Sequence, residues 1–147
     1  MNKRQKDVLV NSIIVTTVTI ITVIAIMNFK DWVNRSEATR AMGHIGRIVV
    51  EYRRQKGIVP PESHIAKIKQ TLEGYARLGE LKYRARWIDF ESTPDEILAY
   101  TRKNYNSFFF SNGYIVLRLD GRVEWMDVDD FEELLATQQS PMEANIQ

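Results

Sequence analysis

VLVNSIIVTTVTIITVIAIMNF, the stretch from Val8 to Phe29, runs for 22 residues without a charge. At about 1.5 Å per residue a helix of that length spans roughly 33 Å, close to a hydrocarbon core of about 30 Å. The run is rich in Val, Ile and Thr, a composition that favours a strand in water. In lipid a lone strand leaves its N–H and C=O groups unpaired, so helix is the only single-span solution. Thr16, Thr17, Thr19 and Thr22 can return their hydroxyl bonds to carbonyls one turn back. The membrane-facing residues predicted on this reading include Val8, Ile13, Ile14, Val18, Ile21, Ile24 and Phe29. The alternatives are a buried strand or core helix and a cleavable signal peptide. The latter has an apolar region of only about 7–15 residues ending at a small-x-small site. Ile26-Met27-Asn28-Phe29 offers no such site, so the segment reads as an uncleaved anchor.

Working outward, Lys3, Arg4 and Lys6 precede the run against a single Asp7, whereas Lys30, Arg35 and Arg40 follow it interspersed with Asp31 and Glu37. The positive-inside tendency then predicts residues 1–7 in the cytoplasm, 8–29 across the membrane, and an extracytoplasmic remainder. With 147 residues there is room for one domain beyond the anchor. That remainder carries 17 basic and 18 acidic side chains, so no basic excess calls for a nucleic-acid partner. The absence of cysteine excludes a disulfide frame and thiolate metal sites.

No Gly or Pro interrupts Val8 to Met42, so the helix is expected to continue past the membrane surface to about Lys56. Val33, Ala41, Ile45, Ile48 and Tyr52 form one apolar stripe along its outer half. Gly43 and Gly46 weaken a helix and mark close packing or a bend. Gly57 is a natural C-cap, and Pro60-Pro61 forbid continuation. A second helix starts at Ser63, with Ile65, Ile68, Leu72 and Tyr75 on one side, and Gly79 closes it. LKYRARWIDF alternates Leu81, Tyr83, Ala85 and Trp87 with Lys82, Arg84 and Arg86, the pattern of a half-buried strand. After a turn at Thr93-Pro94-Asp95, EILAYTRKNY reads as another strand.

The clearest hairpin is YIVLRLDGRVEWM. A two-residue Asp120-Gly121 turn would mix apolar and charged groups on one face. A three-residue loop with Gly121 left-handed instead pairs Leu117 with Val123 and Ile115 with Trp125, giving one apolar face. It also sets Arg118 opposite Arg122. Asp129 to Ala136 is expected to be a short helix with Phe131, Leu134 and Leu135 inward, and residues 138–147 a disordered tail. The fold class is therefore α+β: a long N-terminal helix, half transmembrane, packed against a small antiparallel sheet with short additional helices. The outer domain covers residues 30–137.

Chemistry is sparse. His44 and His64 lack ligand-spaced partners, and no phosphate loop, nucleophile elbow or metalloprotease helix occurs. Asp127, Asp129 and Asp130, with Glu132 and Glu133, supply hard oxygen donors of the kind calcium takes. The favoured reading of the same residues is helix capping, Asp129 with Glu132 or Asp130 with Glu133, where negative charge suits the dipole. No cofactor is otherwise implied. Lys82, Arg84 and Arg86 alternate with Tyr83 and Trp87 as on a single-strand nucleic-acid platform, but any half-buried strand gives this pattern. Phe108-Phe109-Phe110 is expected in the core, with contact to a partner or lipid as the alternative.

A membrane helix running unbroken into a domain, with a small sheet laid on its outer half, is the layout of pilins. AMGHIGRIVVEYRRQKGIVPPES resembles the place where a pilin's long helix ends. YRARWIDFESTPDEILAYT followed by GYIVLRLDGRVEWMDVDDFEELLA resembles the sheet of type II secretion pseudopilins. The family's processing site, a Gly before the apolar run, and its Glu at the fifth mature position are missing: Lys6-Asp7-Val8 stands at the junction and Ser12 at that fifth place. The resemblance implies a non-enzymatic structural component whose partners are membrane lipid and other pilin-like or secretion-system subunits. It also implies that some relatives hold calcium near the C-terminal sheet. The alternative is a signal-anchored extracytoplasmic binding module acting as a monomer.

Overall fold

The computed structural model describes the chain except for Met1, Glu73, Gly74, Phe90, Asn106, Phe108, Ile146 and Gln147, and the side chains at 75 and 76. The expected inward position of Tyr75 and the first ring of the aromatic triplet lie outside the described residues.

One helix, α1, runs from Lys3 to Lys56 over 54 residues, about 80 Å. It ends where the sequence predicts. Gly57 adopts a left-handed conformation (φ 74°) and its N–H donates to Arg53 O at 2.8 Å. Then follow α2 (Glu62–Thr71), α3 (Tyr75–Leu78), β1 (Lys82–Tyr83) and a 3-10 turn (Ala85–Trp87). The chain continues through β2 (Ile97–Lys103), β3 (Gly113–Arg118), β4 (Val123–Asp127), α4 (Val128–Gln138) and α5 (Pro141–Ala144). The four strands form an antiparallel meander in chain order. The α+β class expected from the sequence is the observed one.

The sheet lies between α1 and α4. On one face Ile115, Leu117, Leu119, Leu98 and Ala99 pack with Ala38, Ala41, Met42, Ile45 and Val49 of α1. On the other, Tyr100, Tyr114, Val116 and Ile97 pack with Phe131 and Leu135 of α4. A register irregularity between Ile97 and Ala99 lets Leu98 and Ala99 serve the same side of the sheet. The β3–β4 register is the one that gives a clean apolar face: Leu117 pairs with Val123 and Ile115 with Trp125, and Gly121 has φ 91°. The juxtaposition of Arg118 and Arg122 is relieved by carboxylates. Arg118 pairs with Glu124, and Arg122 pairs with Asp120 and Asp95.

Three expectations need correction. The buried stripe of α1 is Ala38, Ala41, Met42, Ile45, Gly46 and Val49, while Val33, Ile48 and Tyr52 are only half-buried. The helix is rotated toward the Gly46 side, where the lack of a side chain lets the hairpin approach. A Cβ at Gly46 would stand 2.8 Å from Leu117 Cδ1 and 3.1 Å from Gly121 O. The strand expected over 81–90 shrinks to Lys82–Tyr83 among the described residues, because Arg84 turns inward and the chain coils into the 3-10 turn. Part of the tail is ordered: α5 is capped by Ser140 Oγ, which accepts from Glu143 N, and Glu143 is buried.

Candidate functional site

The membrane-facing residues predicted from sequence form the first half of α1. In its most apolar 18-residue window none is buried against the rest of the chain. Val8, Ile13, Ile14, Val18, Ile21 and Phe29 are all exposed, with Ile24 half-buried. A core helix of a soluble protein would be covered by other elements. This one is not, so it stands as a candidate single membrane span. Two of the four threonines expected to do so turn back on the helix's own backbone: Thr19 Oγ1 donates to Val15 O and Thr22 Oγ1 to Val18 O, each at 2.8 Å. Such bonds lower the cost of carrying hydroxyls through hydrocarbon.

Where the apolar run ends, the folded domain comes down to meet it. Asn28 Nδ2 donates to Ile24 O at 2.8 Å, and its Oδ1 accepts from the backbone N–H of Phe109 at 3.3 Å. The β2–β3 loop is thereby held at the level of the last residues of the run. Phe29 and Trp32 stack beside it with ring centroids 5.9 Å apart, both exposed. One turn higher, the Arg35 guanidinium lies 4.0 Å from the centroid of Trp125 and 6.0 Å from that of Phe110. Tyr105 fills the space between, 5.7 Å from Trp125 and 5.8 Å from Phe110. Burial pushes the Tyr105 hydroxyl up to about 12; Arg35 opposes the shift and Asp31 adds to it. Trp32, Arg35, Ser36, Thr39, Arg40 and Phe110 line an open concavity beside this cluster.

The two described rings of the aromatic triplet thus depart from their expected place in the core: Phe110 is half-buried, and Phe109 is 79% exposed. The acidic residues are not assembled into a metal centre. Among the described residues no three His, Cys, Asp or Glu side chains are placed to hold a metal ion. The N-cap of α4 is Asp127, ahead of the expected Asp129 or Asp130, and its carboxylate accepts from Ser111 Oγ at 2.9 Å rather than from a cap N–H. Asp129 and Asp130 lie in the first turn, where their charge suits the helix dipole. His44 is exposed, and His64 packs against Tyr52 with ring centroids 5.5 Å apart. Of the basic residues at 82–86, Lys82 pairs with Glu80 and Arg84 is buried.

Sequence reasoning missed two features. The Asn28–Phe109 contact joins residues 81 apart, with no local signal. The second is the buried pair of Arg84 and Glu143, for which Ser140-Pro141-Met142-Glu143 held a signal: a capping residue, Pro at the first helical position and an acid in the first turn. Comparison with protein-family models, with curated proteins and with solved structures gives no match.

Proposed function

We propose that this chain is a non-enzymatic structural component of a pilus-like or type II secretion-like assembly in the bacterial inner membrane. It is anchored by Val8–Phe29, with Lys3, Arg4 and Lys6 on the cytoplasmic side and the α+β domain on the other. The observation that carries the reading is the continuity of α1. One unbroken helix exposes an apolar half around its whole circumference and uses its other half as the spine of the domain. A bare apolar helix rigidly fused to a folded head can pack against lipid and against copies of itself or related subunits at the same time. The layout is that of pilin-like subunits, which the hairpin and the helix end also resemble. The Lys6-Asp7-Val8 junction supports a member that is not processed in the usual way.

The monomeric binding module is the second reading. It draws on a cleft at the far end of α1, lined by Arg53, Ile58, Val59, Ala85, Ile88 and Asp89. Its volume of about 270 Å³ falls at or below the range usual for ligand pockets.

The chain has no cysteine, so introduced thiols report alone. Single cysteines placed in turn from Ile13 to Ile26, in the full chain at native expression, are expected to give a ladder of oxidative dimers with helical periodicity. Monomer at every position would overturn the assembly reading in favour of the module.

A further inference from the structure

We infer that the β2–β3 loop is a membrane foot: the Phe109 ring enters the headgroup layer of the outer leaflet beside Phe29 and Trp32 and seats the domain on the bilayer. The inference rests on the reading of Val8–Phe29 as a span and adds a second, separate contact with lipid. Three observations carry it. The loop is fixed in height, because Phe109 N donates to Asn28 Oδ1, one residue short of the end of the uncharged run. The loop presents a large apolar ring to its surroundings, Phe109 being 79% exposed although it follows a strand whose residues are mostly buried. Trp32, four residues beyond Asn28 and so on the same face of the helix, adds a second exposed aromatic.

The depths agree with a bilayer. The polar layer outside the hydrocarbon is about 5–8 Å thick on each side. Along the helix axis Trp32 lies about 6 Å beyond Asn28 and Arg35 about 10 Å beyond it. Exposed aromatics at the level of the headgroups, with basic side chains at Lys30, Arg35 and Arg40 at or beyond it, reproduce the order in which membrane proteins place interface anchors. Asp31 and Glu37 share this stretch, and Glu37 is held by Arg77 at 3.1 Å. In water the same cluster would be an exposed apolar patch with nothing to cover it. The occupant is therefore the lipid surface that the span itself brings to the loop.

The test uses three single-cysteine variants of the full chain, Ile21→Cys, Phe109→Cys and Ile58→Cys, each labelled with an environment-sensitive fluorophore. Each is placed at one copy per lipid nanodisc, so that a second copy cannot cover the loop. Matched thermal melting establishes that all three fold. The expected result is strong quenching at position 21 by lipid brominated deep in the acyl chain. Position 109 is expected to show blue-shifted emission quenched by lipid brominated near the headgroup. Position 58, about 45 Å beyond Asn28, is expected to behave as in water. A water-like probe at 109 with a lipid-quenched probe at 21 overturns the foot and leaves the span standing. So does a probe at 109 that is shielded only when several copies share a disc, which assigns the loop to a subunit contact. A water-like probe at 21 overturns the span, and the foot with it.

Discussion

Glu143, four residues from the end of the sequence, forms a bidentate ion pair with Arg84 in the interior: Arg84 Nε donates to Oε1 at 2.6 Å and Nη2 to Oε2 at 2.9 Å. Both side chains are buried, and Arg84 also donates to Ile97 O and Gln138 O. One side chain thus ties α5, the end of α4, β2 and the 3-10 turn together.

Removing one partner leaves a buried charge uncompensated, which costs about 3–5 kcal/mol. Glu143→Gln is expected to destabilise the domain by that order, read from chemical denaturation of the full chain in detergent by tryptophan fluorescence. The double variant Arg84→Met with Glu143→Leu is expected to recover part of the loss, since two apolar groups replace both charges while the Ile97 and Gln138 carbonyls lose their donor. A Glu143→Gln variant as stable as the parent would show that the pair contributes little.

Gly46 and Gly43 lie one turn apart on α1 and should respond oppositely to alanine. A Cβ at Gly46 would press on Leu117 and on the Gly121 carbonyl, whereas a Cβ at Gly43 meets nothing within 4 Å. Gly43→Ala is expected to stabilise by about 0.5–1 kcal/mol through helix propensity. Gly46→Ala forces the β3–β4 hairpin away from the helix and is expected to cost about 1–3 kcal/mol. Equal effects at the two positions would contradict the close approach.

Alkaline pH should loosen the aromatic cluster around Tyr105. Unfolded tyrosine loses its proton near pH 10, while burial holds Tyr105 up to about 12. Between those values the unfolded chain releases a proton that the folded chain keeps. Stability from this group is therefore complete below about pH 10 and is lost as pH rises toward 12. Tyr83 is shifted the same way by burial, with Tyr52 adding to it. Lys103 acts oppositely: burial and Arg77 lower its pKa, so its contribution rises with pH. Tyr105→Phe isolates one group. Its stability relative to the parent should be constant below pH 10 and improve above it, as measured by denaturation at stepped pH.

The sequence disclosed those parts of the fold where a local pattern and the tertiary environment agree. The β3–β4 register followed from Leu117, Val123, Ile115 and Trp125 sharing a face and from Gly121 admitting a left-handed turn. The end of α1 followed from Gly57. Alternation failed at Arg84, because it assumes that a charged side chain faces water and cannot register a buried acid 59 residues later. The core expectation failed at Phe109, whose surroundings are set by Asn28 rather than by neighbours in sequence. The apolar stripe of α1 was legible at Ala41 and Ile45 but missed Met42, Gly46 and Val49, since glycine counts for nothing in a hydrophobic pattern yet sets where the sheet can approach. Of the candidate site, the span was legible from its uncharged length alone, and the aromatic cluster was not, because it is assembled from α1, β4 and a loop.

Partition of the native chain tests the central claim most directly. Membranes from cells expressing the full sequence are washed at high salt and high pH and then treated with detergent. The account predicts that the chain stays with the membrane through both washes and is released only by detergent, because no residue of Val8–Phe29 is buried by the rest of the chain and 22 uncharged residues must be covered. Recovery of the folded chain in the aqueous fraction before detergent is added would contradict it.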